Sequence, residues 1–453
     1  MTWWIVGTGL LAAWLWLLAT ALASADERPA PAPTSARVPP VSLPAKVTLA
    51  DAIRIFRAAG LDLFLADAAV ESARGQLQAA SALINPAVSG GRGSSATYDP
   101  SQCGTPGCSN AQYSASVSDQ GAVLEVLSGK RRLRVQAARA ALRAGELSRR
   151  DAERTLGFAV KQQYVAAALA KAALGLTEES RAANEQTFRL VQARYDAGAV
   201  SEADLARAEA AALEAQQARD LAAQSLRQAK VTLAFLLGVR AAVPDYDVGD
   251  EPMIPREGGP LAASTPESLI SLALTQRADL AAAEAQRARA VAGLRLAERE
   301  RVPDVSLGAQ YTREGTGQSA IQPPTTAFSL AFTVPIFYRR QGEIAIARAD
   351  MHTQELQQAR VTAQVVADVE GSLAAARGAR LRIDRMDSRL MDRTRRARDL
   401  VQVQYEMGAA SLLELLDAQR TLIAAGVERV QILSDYWTAV FQLEEAVGME
   451  LHE

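Results

Sequence analysis

The sequence is poor in the residues that carry out chemistry. Its 453 residues include only 2 His and 2 Cys. That number is too small for a His/Cys zinc site, a haem site, or a nucleophilic triad chosen from several histidines. Neither a GxGxxG nor a GxxxxGK[ST] phosphate-binding motif occurs. We therefore expect no enzyme activity, no cofactor and no metal site.

The chain also lacks an excess of either positive or negative charge. The chain has 49 Lys and Arg against 51 Asp and Glu, a net charge of −2, which argues against a nucleic-acid-binding protein. Hydrophobic residues make up 49 % and charged residues 22 %, so the chain as a whole is not disordered. Its length favours two or three domains.

The N-terminus carries an uncharged apolar run over residues 3–23 that ends in Ala23-Ser24-Ala25. Small residues at these positions fit a cleavage site, so residues 1–25 are predicted to be a signal peptide. An uncleaved anchor is the alternative, because the run is long enough to span a bilayer and no Lys or Arg precedes it. Residues 26–46 are Pro-rich and predict an extended linker. We expect no further transmembrane helix.

The remainder is an internal repeat. Shifted by 217 residues, Thr48 aligns with Thr265 and Asp62 with Asp279; shifted by 210, Tyr195 aligns with Tyr405. The predicted units are 47–245 and 264–453, joined by a Pro- and Gly-containing connector, 246–263.

Each unit is predicted to contain a helix, two strands, a long helix, a turn and another helix. Residues 130–196 lack Pro and read as one helix of about 100 Å, at 1.5 Å per residue. Gly198 ends it, and Ser201 or its neighbour caps the next. The predicted helices are 48–82, 130–196, 201–236, 265–300, 340–406 and 411–447, and the predicted β-hairpins are 83–128 and 302–336.

An alternative interpretation of the long helices is a plain coiled-coil rod. Such a rod does not explain the two predicted β-hairpins. Apolar residues alternate with small or polar ones over 305–311 and 328–334. This pattern is typical of membrane β-strands, although a half-buried soluble sheet has it too. Four strands cannot close a barrel in lipid, so closure needs other chains: two would supply about eight strands and three about twelve.

Two turn motifs, Tyr195-Asp-Ala-Gly198 and Tyr405-Glu-Met-Gly408, each precede a helix, and Pro335-Ile-Phe337 leads from a strand to a helix. With this layout, the chain resembles the TolC family of outer-membrane efflux proteins. The resemblance implies a mixed fold. A long α-helical coiled barrel would continue into a membrane β-barrel, as a homotrimer with four strands per chain and twelve in total. It places the protein in the outer membrane of a Gram-negative bacterium, extending into the periplasm.

The resemblance further implies a passive duct that docks to a periplasmic adaptor and an inner-membrane pump. The cargo would be small molecules or metal cations, and residues 411–448 look most like the branch that serves heavy-metal resistance-nodulation-division pumps. Alternatives are a duct for type I protein or peptide secretion, a soluble coiled-coil scaffold, or a periplasmic adaptor.

The resemblance also suggests a periplasmic gate. Glu414 and Asp417 match the family's constriction acids and would form stacked acidic rings in a trimer, with some pKa values raised by crowding. Asp204 matches the partner that can bond Tyr405. The alternative is a solvated acidic face paired with Arg420. Ala410 stands where the family can carry a basic residue that locks the closed end.

Two further expectations concern the hairpin ends. Cys103 and Cys108, in an oxidising compartment, are predicted to form a disulfide, with two free thiols as the alternative. The basic groups 130–132 and 339–340 each follow a strand, so we expect them just below the inner lipid leaflet, reaching phosphates.

Overall fold

The computed structural model describes residues 41–94, 101, 110–255, 265–313 and 324–450. The predicted signal peptide, most of the linker, and Cys103 and Cys108 lie outside the described residues. Within them, the order of elements predicted for each half is observed.

The first half begins at Thr48, whose side chain and the N3 carboxylate of Asp51 form a capping box. Its longest helix covers 67 residues without a break and ends at Asp196, two residues before Gly198, which adopts φ +71°. Ser201 then caps the next helix by accepting from the amide of Asp204. The elements are β1 Lys46–Val47, α1 Leu49–Ala59, α2 Leu61–Ser81, β2 Ala87–Ser94, β3 Ala111–Ser118, α3 Ala122–Leu127, α4 Lys130–Asp196, α5 Glu202–Leu236 and β4 Asp247–Val248.

The second half follows the same order, with Thr265 and Ser411 as helix caps. Its long helical segment contains five residues of π-helix, Met386–Leu390. The other elements are α6 Pro266–Gln276, α7 Ala278–Arg299, β5 Val305–Arg313, β6 Thr325–Phe332, α8 Gln341–Arg385, α9 Met391–Glu406 and α10 Leu412–Val447.

Four predicted elements differ from the structure. The helices expected over 48–82 and 265–300 are each broken, at Gly60 and Arg277, where ψ is 120° and 123°. An extended ψ ends the helical hydrogen-bond pattern, and hydrophobic periodicity alone does not reveal it. The helix expected over 340–406 is interrupted by the π-helical turn, and the first hairpin ends before 128 because α3 follows it.

The described end of the linker and the connector contain short strands that were not predicted. Lys46–Val47 and Asp247–Val248 pair as a two-stranded parallel sheet. Trp437 secures the connector from α10 by donating its indole N–H to the carbonyl of Pro252 at 2.8 Å. Tyr164 on α4 donates to Glu251 Oε2 at 2.5 Å. The start of the first half and the connector therefore meet beside the middle of α4.

The hairpins form one antiparallel sheet in the order β2-β3-β5-β6. Residues that pair across strands share a face, and the register gives the two faces opposite character. One face is polar and small, with Ser89 and Ser116 hydroxyls 2.8 Å apart. The other carries large apolar side chains, most of them exposed: Val88, Val117, Leu307, Phe328, Leu330 and Phe332. Strands β2 and β6 are the unpaired edges.

Among the described residues, no helix combines the length and apolar character needed to cross a membrane. The helical part instead buries Ala and aliphatic residues along rods, with the largest side chains, including Tyr436, Trp437 and Phe441, near the middle. Small residues at the remaining contacts permit close helix-to-helix packing.

Candidate functional site

The two Tyr-x-x-Gly turns lie together at the end of the rods opposite the sheet. Gly198 and Gly408 adopt φ +71° and +75°, a left-handed conformation that ends a helix without steric cost only for glycine. Residues of α4, α5, α9 and α10 form one apolar cluster at this end: Val191, Ala208, Ala211, Tyr405, Leu412, Leu415 and Leu416. We call this region the tip.

The two tyrosines of the motifs have different environments. Tyr195 is 38 % exposed, whereas Tyr405 is 4 % exposed and belongs to the apolar cluster. Arg194 explains part of the difference. Its guanidinium carbon lies 4.7 Å from the centroid of the Tyr405 ring, and its Nη2 donates to the carbonyl of Glu406 at 3.2 Å. One side chain of the first half therefore covers the turn of the second half.

Asp204 does not bond Tyr405 within this chain, contrary to the expectation. Its carboxylate accepts from Ser201 Oγ at 2.8 Å and from Arg207 Nη1 at 3.2 Å. The hydrogen bond from the Ser201 hydroxyl is the main reason that the pKa of Asp204 lies below its ordinary value. Its place in the first turn of α5 directs the carboxylate back to the cap. The Tyr405 hydroxyl has no hydrogen-bond partner among the described residues.

Glu414 is also engaged in capping. Its Oε2 accepts from the backbone N–H of Ser411 at 2.7 Å and from the Ser411 hydroxyl at 3.0 Å. These bonds, the backbone one first, lower the pKa of Glu414. A raised pKa was expected for acids crowded in a trimer; the single chain has the opposite direction for Glu414, because hydrogen bonds to the ionised form favour it.

Asp417 lies one turn further along α10 and is exposed, as is Glu414. Arg420, considered as their partner, instead pairs with Glu214 of α5 at 3.1 Å. The two acids therefore form an exposed stripe on α10, which the single chain leaves open to solvent or to another chain.

Sequence reasoning missed two contacts at the tip. Arg194 corresponds to Gln404 in the second half, so the repeat gives no signal for it. Gln419 Nε2 donates to Thr187 Oγ1 at 3.2 Å, a buried bond between α10 and α4. Thr187 and Gln419 line a cavity of about 140 Å³. Both missed contacts depend on which helices become neighbours.

The basic residues at the sheet-to-helix junction only partly match their prediction. Lys130 is 6 % exposed, and its ammonium donates to the carbonyl of Val302 at 2.6 Å and to Asp304 at 2.7 Å. It therefore ties α4 to the entry of β5 and does not reach lipid phosphates. Arg340 pairs with Glu300 at 2.7 Å, although the side chains stay partly exposed. Carbonyl and carboxylate acceptors within the chain satisfy these two cations at the junction.

Within the described part of the chain, no group of three or more His, Cys, Asp or Glu side chains is arranged to hold a metal ion. The tip has hydrogen bonds, a stacked guanidinium and exposed carboxylates. Such an arrangement holds the two turns together and presents negative charge at this end of the rods.

Comparison with solved structures identifies the fold. The fold matches the crystal structure of CusC, whose description concerns transmembrane channel formation, with a TM-score of 0.72 and 21 % identity. The match covers 88 % of this chain and 92 % of that one. At this identity the likeness establishes the fold: long helical rods continuous with a small β-domain.

The family model described as "Outer membrane efflux protein" matches residues 54–239 and 269–449. The chain belongs to this family of outer-membrane efflux proteins, as its turn motifs indicated. The two matched stretches fall within the two predicted units.

Two curated relatives illustrate the range of the family. The pyoverdine export outer membrane protein OpmQ of Pseudomonas putida is 27 % identical over 68 % of this chain. The match spans 64 % of OpmQ's own length. The cobalt-zinc-cadmium resistance protein CzcC of Cupriavidus metallidurans is 24 % identical, over 71 % of this chain and 74 % of CzcC.

Proposed function

We propose that this chain is one protomer of the outer-membrane duct of a tripartite efflux system. The observation that carries the proposal is the four-stranded sheet with two open edges and two unlike faces. Exposed Phe328, Leu330 and Phe332 suit lipid, whereas the serines on the opposite face suit a water-filled lumen. The duct itself is passive, and energy comes from its pump.

Closure of the sheet supports a homotrimer. Unpaired strand edges are not tolerated in hydrocarbon, so β2 of one copy pairs with β6 of the next. Two copies would supply about eight strands, whose interior side chains fill, and three would supply about twelve, which leave a channel. We therefore propose a twelve-stranded trimeric barrel above a tunnel of helices.

The halves 47–245 and 264–453 are proposed to be copies of one unit, with the connector 246–263 between them. The matching element order and the equivalent breaks at Gly60 and Arg277 support this proposal. Residues 1–25 remain a proposed signal peptide, ahead of the linker 26–46, for export toward the outer membrane.

Partners and cargo follow from the proposed role. A periplasmic adaptor would dock at the helical tip, and an inner-membrane pump would select the cargo, either small molecules or metal cations. The named relatives concern pyoverdine and cobalt, zinc and cadmium, so the duct fold serves chemically different cargoes. A heavy-metal pump stays our particular proposal for this chain, with type I protein secretion as the alternative.

The tip is proposed to be the periplasmic gate. In a trimer, the exposed carboxylates of Glu414 and Asp417 would form two acidic rings that favour cations. Ala410 supplies no basic lock, but Arg194 places a guanidinium on Tyr405 from the first half. We propose that opening separates Arg194 from the Tyr405 turn, and that the free Tyr405 hydroxyl finds its partner on a neighbouring chain.

Disulfide trapping tests the trimer. Ser89 in β2 and Ser329 in β6 lie at opposite edges of the sheet, so Cys at both positions can cross-link only between chains. In a background with Cys103 and Cys108 replaced by Ser, we expect a covalent trimer on a denaturing gel after oxidation. The single variant S89C is the matched control. A covalent species no larger than a dimer, or none, would contradict a trimeric barrel; neighbouring residues are tested in parallel to allow for the unknown register.

Conductance in planar bilayers tests the gate. Replacing both acids, E414Q/D417N, should weaken cation selectivity and block by multivalent cations, while E284Q/E370Q, at exposed positions of α7 and α8, serves as the charge-matched control. Variants R194Q and Y405F should each raise conductance. If all of these variants conduct as the wild type does, the constriction lies elsewhere.

A further inference from the structure

Charge is distributed unevenly over the sheet. In the four described strands, 87–94, 111–118, 305–313 and 325–332, the charged residues are Arg92 and Arg313 and no others. Both are arginines and both are exposed. Isolated positive charge on a surface that otherwise suits hydrocarbon is costly unless an anionic partner is present.

The two arginines belong to one row across the sheet. Arg92 of β2 pairs with Tyr113 of β3, and Tyr113 pairs with Arg313 of β5. Paired residues share a face, and this one is the apolar face of Val88, Val117 and Leu307. The Arg92 guanidinium carbon lies 5.9 Å from the centroid of the Tyr113 ring, which is half exposed. We call Arg92, Tyr113 and Arg313 the distal row.

The distal row lies at the end of the sheet farthest from the helices. Strand β5 enters from α7 at Val305, next to Phe332, and reaches Arg313 eight residues later. At about 3.3 Å per residue the strand travels about 26 Å between these rows. With the usual tilt this covers most of the apolar band, about 25 Å tall, of an outer-membrane barrel. The distal row therefore falls at the outer lipid–water boundary, where tyrosine rings are enriched.

The spacing of the two guanidiniums suits phosphate. Strands β2 and β5 are two positions apart, so the backbones of Arg92 and Arg313 are separated by about 10 Å. No ion pair with a carboxylate is observed for either among the described residues, and both side chains are long enough to converge over Tyr113. Planar guanidinium groups bind phosphate oxygens through paired N–H donors, which a single ammonium does not.

We propose that the distal row binds the phosphate groups of an anionic lipid in the outer leaflet. In a trimer the row recurs three times around the barrel and fixes its height in the membrane. This inference rests on the proposed membrane barrel, but it concerns the outer surface and not the duct.

Lipid binding to the full-length trimer tests the proposal. Wild-type protein is reconstituted into phosphatidylcholine vesicles that contain diphosphorylated lipid A or, in a parallel set, dephosphorylated lipid A. Lipid that remains bound after extraction is counted by native mass spectrometry. We expect retention of the phosphorylated lipid to fall about a hundredfold in R92Q/R313Q, since two arginines are lost and a hydrogen bond to a charged group is worth roughly tenfold for each.

Control variants separate phosphate binding by the distal row from a general loss of positive charge. R227Q/R360Q removes two exposed charges from the helical rods and should leave lipid retention unchanged. R92K/R313K keeps the charge but loses paired donation, so its retention should be intermediate, and it remains informative if the Gln variant fails to fold. Inorganic phosphate alone should not compete effectively, because the lipid chains contribute to binding.

The outcomes distinguish this inference from the proposed function. If the wild type forms channels but R92Q/R313Q retains phosphorylated lipid A as well as the wild type does, the distal row is not a lipid site. Equal retention of the dephosphorylated lipid by the wild type would also overturn it. If the wild type does not insert into membranes, the proposed duct itself fails.

Discussion

The two halves of the chain have the same order of elements, but equivalent positions are stabilised by different contacts. At the tip, the Tyr-x-x-Gly motif of the first half leaves Tyr195 partly exposed, whereas the same motif in the second half buries Tyr405 under Arg194. The first half therefore supplies a covering residue, and the second half supplies the covered turn. An asymmetry of this kind gives one of the two turns a distinct role in a gate.

The halves also differ where the N-terminal helices break. Gly60 stands at the break in the first half, and α5 ends at Gly238 so close to Ala59 that no side chain would fit. In the second half the break carries Arg277, a 5 % exposed residue bonded to Asp279 at 2.6 Å and Asp368 at 2.9 Å. The first half is therefore held at its break by close backbone packing, and the second half by ion pairs of the buried Arg277.

The long helices show a third difference. Helix α4 runs 67 residues without interruption, whereas its counterpart contains the π-helical turn Met386–Leu390 between α8 and α9. The Asp387 carboxylate in that turn accepts hydrogen bonds from both Nε and Nη2 of Arg429 on α10. π-helical turns often mark functional sites, so the second half has the feature suited to local rearrangement.

The largest effect is expected from breaking the ion-pair network. Arg277→Met leaves Asp279 and Asp368 without their shared cation and should lower the free energy of unfolding by about 3 kcal/mol. Thermal unfolding of the detergent-solubilised protein measures the loss. Arg287→Met, next to Glu355 in a largely exposed pair 3.6 Å apart, is the matched control and should cost about 0.5 kcal/mol. Equal effects would mean that Arg277 acts no differently from a surface arginine.

The pH dependence of the same network has a definite sign. Burial acts to raise the pKa of Asp279, but the hydrogen bonds and charge of Arg277 prevail, so this pKa lies below its ordinary value. The stabilisation is therefore complete above the ordinary carboxyl pKa and is lost as the pH falls through the lowered one. In R277M this acid-dependent loss should disappear from the unfolding curves measured between about pH 2 and 5.

Three Gly→Ala variants test whether the close backbone approach of Gly238 to Ala59 stabilises the first half. Gly238→Ala puts a methyl group 2.2 Å from the Ala59 carbonyl oxygen at φ +89°, so a loss of about 3 kcal/mol is expected. Gly448→Ala, at φ +85° with Arg277 Cγ at 3.3 Å, should cost about 2 kcal/mol because a side chain can yield. Gly198→Ala, with open space around it, should cost about 1 kcal/mol. Thermal unfolding of the three variants gives the ranking; a G198A loss as large as that of G238A would refute the role of close approach.

Removing the covering arginine should have a smaller effect. Arg194→Gln loses the cation–π contact and the bond to the Glu406 carbonyl, at a cost of about 1 kcal/mol. Hydrogen exchange should quicken in residues 400–410 while the corresponding first-half turn, 190–200, changes less. Arg189→Gln, one turn away on α4 and bonded to Glu185, is the control. Equal acceleration at both turns would show that Arg194 stabilises only its own helix end.

The smallest effect is expected at Glu414, in the pH dependence of hydrogen exchange at the start of α10. Its direction shows whether the pKa of Glu414 is lowered. Hydrogen bonds from the Ser411 amide and hydroxyl lower the pKa of Glu414, so the cap stays intact above the ordinary carboxyl pKa and weakens as the pH falls through the lowered value. Exchange of the first amides of α10, corrected for intrinsic rates, should follow this titration in the wild type and lack it in E414Q.

The same titration in the assembled trimer tests the acidic ring. If neighbouring carboxylates dominate, the midpoint should move above the ordinary carboxyl pKa, because like charges favour the protonated form. A midpoint below it in the trimer would show that the cap, and not a crowded ring, sets the charge of Glu414 at the tip.

The sequence by itself determined the element order, because 3.6-residue and alternating periodicities are local and long. It also located the turns: Gly198 and Gly408 need left-handed φ, and Ser201 and Ser411 are strong caps whose bonds span three residues. The family followed from these motifs. The capping box of Ser411 and Glu414 belongs to the same kind of local pattern, because Ser and Glu three residues apart at a helix start specify it.

Only the tertiary structure decided which residues meet across helices. Arg194 reaching Tyr405, Lys130 reaching Asp304, and Arg277 reaching Asp368 each join positions more than 90 residues apart or in different halves, and no periodicity specifies such pairs. The breaks at Gly60 and Arg277 depend on the same contacts, because an extended ψ is held by what packs around it. Local free-energy preferences fix a helix and its caps, whereas the neighbours of a buried charge or hydroxyl are set by the packing of the whole chain.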